Sequence, residues 1–383
     1  MVKAWIALLI VLLSLGLFAN DKEMRSIRLI VKTPFNTPVN DSIYLTGAGN
    51  SFCDWNPRCL KFRKIDHQLF SINLNLIDHS KLLEFKVTRG DWSTQACTQK
   101  GEILQNYELM LSSGSLEYII TIENWCDKKA NALPEDVVRL NNFDLKFANE
   151  KRNISVFLPS SYHKKINNKF PVIYVHDGQN AIDPETSAFG KEWGIDETIE
   201  TLIERKQSEG FIVVAIPCHC RERNAEYNYF EKGESFAKSI VNDLVPYIDD
   251  QFRTIASREG RYIMGSSMGA LISFSMLWEY PYVFKAAAGL SFPAFAFDYF
   301  IFKVAEKFSV PEDTHFYLDH GGTGQDATYD EARELFLNHL NSLGINPQQV
   351  VFKHFPYDGH NEVDWANRVN IPLTFFEKFI SNY

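Results

Sequence analysis

Gly265-Ser266-Ser267-Met268-Gly269 is the stretch that decides how this chain is read. A strand-like run, Arg261-Tyr262-Ile263-Met264, precedes it. A helix-like run, Ala270-Leu271-Ile272-Ser273-Phe274-Ser275-Met276-Leu277, follows. G-x-S-x-G between a strand and a helix is a sharp turn that holds its central residue in a strained backbone. Glycines two before and two after that residue leave room for the helix to pack close to the strand. The pattern predicts an exposed Ser267 hydroxyl at a strand tip and a helix start.

A serine hydroxyl is a poor nucleophile at neutral pH, so it needs a base, and the base needs an orienting carboxylate. In the α/β class that uses this turn, the partners follow in the order Ser, acid, His. His360, in Tyr357-Asp358-Gly359-His360-Asn361, follows a strand-like run late in the chain and precedes a final helix. Catalytic groups of open parallel sheets gather at the carboxyl ends of strands, so His360 is the expected base. His354 is the fallback. Asp319, at the end of Phe316-Tyr317-Leu318-Asp319, and Asp326, in the Gly-rich loop after it, are equal candidates for the acid on chemistry alone. The backbone N–H of Met268 is one expected oxyanion donor. The other should come from His176-Asp177-Gly178-Gln179-Asn180, where Gly178 is expected to let the backbone approach a substrate.

Around these residues, strands alternate with helices. Strand-like runs at 154–159, 171–175 and 211–216 are interleaved with helical stretches at 197–206 and 236–252. That rhythm predicts a mostly parallel sheet with helices on both faces, in one domain over 136–383. Residues 26–127 have a different rhythm: short runs at 28–31, 42–45, 69–74, 83–87 and 116–122, several alternating apolar and polar, with no helical period. They predict a small all-β sandwich, with a polar linker at 128–135 between the two. No internal repeat is evident.

The composition, 45% hydrophobic and 23% charged, is globular, and the formal net charge is -9. No Lys/Arg run is long enough to track phosphates, which argues against a nucleic-acid partner. Residues 1–19, with Lys3, an almost wholly apolar stretch and Ala19, read as a secretory signal peptide. The apolar stretch is shorter than the ~20 residues of a membrane span, so a secreted or periplasmic protein without a stable span is expected. Export would permit disulfides among Cys53, Cys59, Cys97, Cys126, Cys218 and Cys220, whose pairing the sequence leaves open. Cys218-His219-Cys220 has the wrong spacing for a structural zinc site, so no metal or organic cofactor is expected.

Residues from about 142 to 383 resemble an esterase family of α/β-hydrolases that includes feruloyl esterases, iron-siderophore trilactone esterases and S-formylglutathione hydrolases and is related to mycolyltransferases. The resemblance is carried, in order, by Val156-Phe157-Leu158-Pro159, the run from Pro171 to Asn180, and Glu192-Trp193-Gly194-Ile195-Asp196-Glu197-Thr198. It continues through Arg223-Asn224-Ala225-Glu226-Tyr227, the Ser267 motif, Gly359-His360-Asn361-Glu362 and Trp365. It implies an α/β-hydrolase fold, Ser267 as nucleophile and His360 as base. It tips the acid to Asp326, in Gly322-Thr323-Gly324-Gln325-Asp326, and the second oxyanion donor to the backbone of Gln179. Asp177, Asn180, Trp193, Arg223, Glu226, Tyr227 and Trp365 are expected to line or support the pocket. Ala270 replaces a glycine common in the family. The loop from His219 to Asn228 is the expected seat of selectivity.

The N-terminal segment resembles starch- and glycogen-binding modules through Ile43-Tyr44-Leu45-Thr46-Gly47, Asp54-Trp55-Asn56-Pro57, the run from Leu83 to Trp92, and Trp125. Trp55 and Trp92 match the aromatics that stack on sugar rings. As packing residues, both would instead be buried. The expected protein is an exported serine esterase acting on an ester attached to carbohydrate, of feruloyl or acetyl type. The alternatives are a siderophore trilactone esterase, a non-catalytic glucan-binding protein on a hydrolase scaffold, and an acyltransferase using the same residues.

Overall fold

The computed structural model describes residues 25–76, 82–110, 116–128, 136–219 and 221–380. The apolar leader at 1–19, linker residues 129–135 and Cys220 lie outside them.

The N-terminal part forms two four-stranded sheets. One runs Arg63–Asp66, Leu69–Leu76, Arg25–Lys32, Leu116–Thr121, with the last two parallel. The other runs Leu60–Lys61, Tyr44–Gly47, Leu82–Thr88, Tyr107–Met110 and is antiparallel. Alternate side chains of both, among them Leu29, Val31, Leu45, Phe85 and Val87, meet in one buried cluster with Trp125, as period-2 strands packed face to face require. Arg63–Asp66 was not legible in the sequence because it is an exposed edge strand with no apolar alternation. Cys53 and Cys59 form a disulfide, and Cys97 and Cys126 are free thiols. Trp92 is 37% exposed, Trp55 is half-buried, and Arg58 Nε donates to Gly90 O at 2.9 Å between their loops.

The larger sheet has eight strands, labelled in chain order β1 (Val137–Leu145), β2 (Glu150–Phe157), β3 (Val172–His176), β4 (Ile212–Ile216), β5 (Arg261–Ser266), β6 (Ala286–Leu290), β7 (His315–Gly321) and β8 (Val350–Phe355). Their order is β1-β2-β4-β3-β5-β6-β7-β8. β1 and β2 are antiparallel to their neighbours, and the six strands from β4 to β8 are parallel. Val172 and Tyr174 of β3 face one core, and Ile173 and Val175 face the other. Helices therefore cover both faces. Ile195–Glu204 and Asn370–Glu377 pack on one. The helical run from Glu234 to Gln251, Met268–Glu279, Ala296–Lys307 and Asp330–Ser342 pack on the other. This is the expected α/β-hydrolase architecture. β6, Ala-Ala-Ala-Gly-Leu, escapes sequence reading because Ala and Gly have little strand preference. It is a central strand whose small side chains let Phe274 and Phe292 approach Gly289. Among the described residues no helix is long and apolar enough to cross a membrane.

Candidate active site

Ser267 sits between β5 and the helix Met268–Glu279 with φ 52° and ψ -121°. A non-glycine residue held at positive φ costs about 1–3 kcal/mol, which the packing around it must offset. The packing is close: a Cβ added at Gly265 would lie 2.5 Å from the Gly269 carbonyl carbon, and one at Gly269 would lie 2.9 Å from Asp177 Oδ2. The turn therefore needs both glycines. It leaves Ser267 half-exposed between the buried Ser266 and Met268.

His360 follows β8 and reaches the turn. Its Nε2 lies 3.0 Å from Ser267 Oγ, and its Nδ1 lies 2.7 Å from Asp326 Oδ1. Asp326 is fully buried and accepts from the Gly321 N–H at 2.8 Å and from Ser291 Oγ at 2.5 Å, both on Oδ2. Burial pushes its carboxyl up, but the hydrogen bonds from His360, Ser291 and Gly321 outweigh burial and hold it below the usual carboxylate range. An ionised Asp326 keeps the proton on His360 Nδ1 and leaves Nε2 free to accept from Ser267.

Asp319, the other candidate, is fully engaged elsewhere. It accepts from Ser291 N at 2.9 Å, Tyr317 Oη at 2.9 Å and Arg368 Nε at 3.2 Å. Burial raises its carboxyl, with the Arg368 guanidinium opposing. His354 lies within β8, exposed, with its ring 5.0 Å from that of His320.

Met268 opens its helix and Gln179 lies in the short helical turn Gly178–Asn180. First-turn N–H groups have no intrahelical acceptor, as an oxyanion donor requires. Gln179 is pinned by its side chain, whose Oε1 accepts from Cys218 N at 3.1 Å. Gly178 has a packing role. A Cβ there would lie 2.1 Å from Ile216 N and 2.3 Å from Ala215 C, so glycine is required where the loop crosses β4.

The remaining expected residues separate into two groups. Arg223 binds Asp177 in a two-pronged pair at 2.8 and 2.7 Å, and Asp177 N donates to Tyr227 Oη at 3.0 Å. Trp365 packs edge-on against His360 with centroids 5.0 Å apart, and its Nε1 donates to Ser291 Oγ at 2.8 Å. These stand at the site. Asn180, whose Oδ1 accepts from Ala188 N, and the fully buried Trp193 support the loop from below. Glu226 pairs with Arg152 and accepts from His219 N at 2.9 Å, holding the 219–228 loop to β2. Ser291, Arg368 and Tyr329, whose Oη lies 3.3 Å from His360 Nδ1, were missed. Each reaches the site from a different element, with no local motif. Glu362 lies two residues after His360. Burial raises its carboxyl, with the Asp177 carboxylate adding to the rise and the Arg223 guanidinium opposing it.

Two groups of possible metal ligands occur among the described residues: Glu192, Asp196 and Glu197, and Glu150, His219 and Glu222. Neither lies at Ser267, and acidic groups gather this way without an ion.

A family model described as "Putative esterase" matches residues 146–341, just over half of the chain. The chain belongs to this esterase family. It is 28% identical over 149 residues to the uncharacterized protein YjcH of Bacillus subtilis (strain 168), covering 38% of this chain and 58% of that protein. It thus spans little more than half the length of that curated relative. Among solved structures, a ferulic acid esterase covers 63% of this chain and 98% of its own at 18% identity and a TM-score of 0.50. The enterobactin esterase of Shigella flexneri, solved with 2,3-di-hydroxy-N-benzoyl-serine, covers 89% of this chain and 88% of its own at 11% identity and a TM-score of 0.54. Residues 136–383 are 248 of 383, about two thirds of the chain, so the second likeness extends into the N-terminal β-rich part. At these identities both are likenesses of fold.

Proposed function

We propose that this member of the esterase family is an exported serine carboxylic-ester hydrolase that works through Ser267, His360 and Asp326 and acts on an ester attached to carbohydrate. The observation that carries the reading is the unbroken line from Ser267 Oγ to His360 Nε2, 3.0 Å, and from His360 Nδ1 to Asp326 Oδ1, 2.7 Å. His360 takes the Ser267 proton as Oγ adds to the ester carbonyl. The N–H groups of Met268 and Gln179 receive the oxyanion, each worth about 3 kcal/mol in the transition state. Collapse releases the alcohol, protonated by His360, and leaves an acyl-enzyme. Water then repeats the sequence, with His360 as base, and frees the acid and Ser267.

The Cys53–Cys59 disulfide supports an oxidising compartment, in keeping with a cleaved leader at 1–19. The exposure of Trp92 supports sugar stacking on a sandwich at 26–127, and with it a carbohydrate-linked substrate. The competing substrate is a siderophore trilactone. The likeness of the enterobactin esterase to both parts of the chain favours it. Hydrolysis of short p-nitrophenyl esters by the mature protein beside Ser267→Ala tests the chemistry, and a loss of about 10⁴-fold is expected. Release of ferulate or acetate from polysaccharide, run beside breakdown of an iron-siderophore trilactone, tests the substrate. Glucan binding without any turnover would overturn the hydrolase reading in favour of a binding protein.

A further inference from the structure

The N-terminal β-rich part does more than adjoin the hydrolase sheet. Lys32, the last residue of the strand Arg25–Lys32, is buried, and its ammonium lies inside the other part of the chain. Its Nζ donates to Tyr357 O at 3.1 Å, to Asp358 Oδ1 at 3.1 Å and to Asp364 Oδ1. These acceptors bracket His360. Asp364 Oδ2 accepts from Gly359 N at 2.7 Å and from Asn361 Nδ2 at 2.9 Å, so it holds the residues on both sides of the imidazole. Asp358 Oδ2 accepts from Arg368 Nη1 at 3.0 Å, Arg368 Nη2 donates to Ser291 Oγ at 2.8 Å, and Ser291 donates to Asp326. One chain of hydrogen bonds therefore runs from Lys32 to the acid that orients His360.

We propose that Lys32 is a positioning residue for His360, and that the N-terminal part thereby completes the geometry of the catalytic centre. This inference rests on the proposed esterase reading. The physical argument is electrostatic. The side chains of Lys32, Asp358 and Asp364 are all less than a tenth exposed. Removing the ammonium leaves buried charge uncompensated, chiefly on Asp364, since Asp358 keeps Arg368. Without the ammonium, Asp358 and Asp364 repel each other across the loop that carries His360. The ammonium is itself held in place. The Lys32 carbonyl accepts from Ile122 N at 2.9 Å, and the strand pairs on both sides with Leu69–Leu76 and Leu116–Thr121. Gln68, in the turn between Arg63–Asp66 and Leu69–Leu76 of the same sheet, donates to Asn367 O at 2.8 Å, fixing the helix that carries Arg368. A displacement of the base by about 1 Å is enough to cost 10²-fold in rate.

The test uses the full mature chain and the variants Lys32→Met and Lys32→Gln, the second in case the first fails to fold. Active sites are counted with a serine-directed phosphonate, and kcat and KM for a p-nitrophenyl ester are measured per titrated site. The expected result is a fall in kcat of about 10- to 100-fold per titrated site, with KM within about twofold of the parent. The effect of Lys32→Gln should be the smaller. A structural tether alone would lower thermal stability and the number of titrated sites but leave kcat per site intact, and that result would overturn the inference while the esterase reading stands. A parent chain that neither reacts with the phosphonate nor hydrolyses any ester would overturn both.

Discussion

Asp326 Oδ1 lies 2.7 Å from His360 Nδ1, whereas Asp319, two residues short of the end of β7, is turned away to Arg368. Replacing each carboxylate by its amide should therefore have different consequences. Asp326→Asn can present an N–H to His360 and force the wrong tautomer, so kcat should fall by about 10⁴-fold with little loss of structure. Asp319→Asn should chiefly lower stability, because it removes the charge that faces the buried Arg368 guanidinium. Steady-state kinetics and thermal melts of the two variants check this, and equal rate losses would contradict it.

Ser291 joins three groups behind the acid: it donates to Asp326 and accepts from Trp365 Nε1 and Arg368 Nη2, both at 2.8 Å. Ser291→Ala leaves two buried donors without that acceptor. A stability loss of about 1–3 kcal/mol per stranded group is expected, together with a fall in kcat as Asp326 loses a hydrogen bond. Denaturant unfolding beside kinetics would show both, and a variant as stable and active as the parent would refute the linkage.

His176, at the end of β3, is fully buried between Tyr227 and Phe236, and burial pushes its imidazole down to about 4 from an ordinary 6.5, with Asp177 opposing. The unfolded chain binds this proton from about pH 6.5 downward, whereas the folded chain binds it only near 4. Its contribution is thus fully present above pH 6.5 and is lost as the pH falls toward 4. The loss across that window is about 3 kcal/mol. Unfolding measured from pH 7 to 4 should be less steeply dependent on pH in His176→Phe than in the parent. Identical slopes would exclude His176 as the source.

Gly178→Ala should be strongly destabilising. The new methyl would stand 2.1 Å from Ile216 N, a backbone atom of β4 that cannot move without breaking the sheet. Overpacking of this kind costs about 1–3 kcal/mol or more. A thermal melt is sufficient to check it, and an unchanged midpoint would refute the packing role assigned to this glycine.

Much of the site was legible in the chain because its chemistry is tied to local geometry. Ser267 is marked by two glycines that the turn requires, and His360 by its place after a strand and beside a glycine. Which carboxylate meets His360 was not decided locally. Asp319 lies near the end of β7 and Asp326 in the loop after it, and the choice depends on which carboxylate the Arg368 guanidinium occupies, a contact made from a helix about 50 residues later. Gly178 was read as a backbone approach to substrate, but close contact with a neighbouring strand imposes the same residue. The partner of Glu226, Arg152 on β2, was not legible, because charge pairing across elements leaves no spacing in the sequence.

By itself the sequence determined the class of the fold, the sharp turn at Ser267, His360 as its candidate partner and the existence of two parts with different rhythms. Those features rest on short-range physics: side-chain period, the steric need for glycine and the order of strands and helices. Only the tertiary structure decided which aspartate meets His360, which buried charges brace its loop, and that Lys32 of the N-terminal part is one of them. Such partners lie up to 332 residues apart in the chain. The free energy that joins them comes from burying opposite charges together, which no local pattern of residues records.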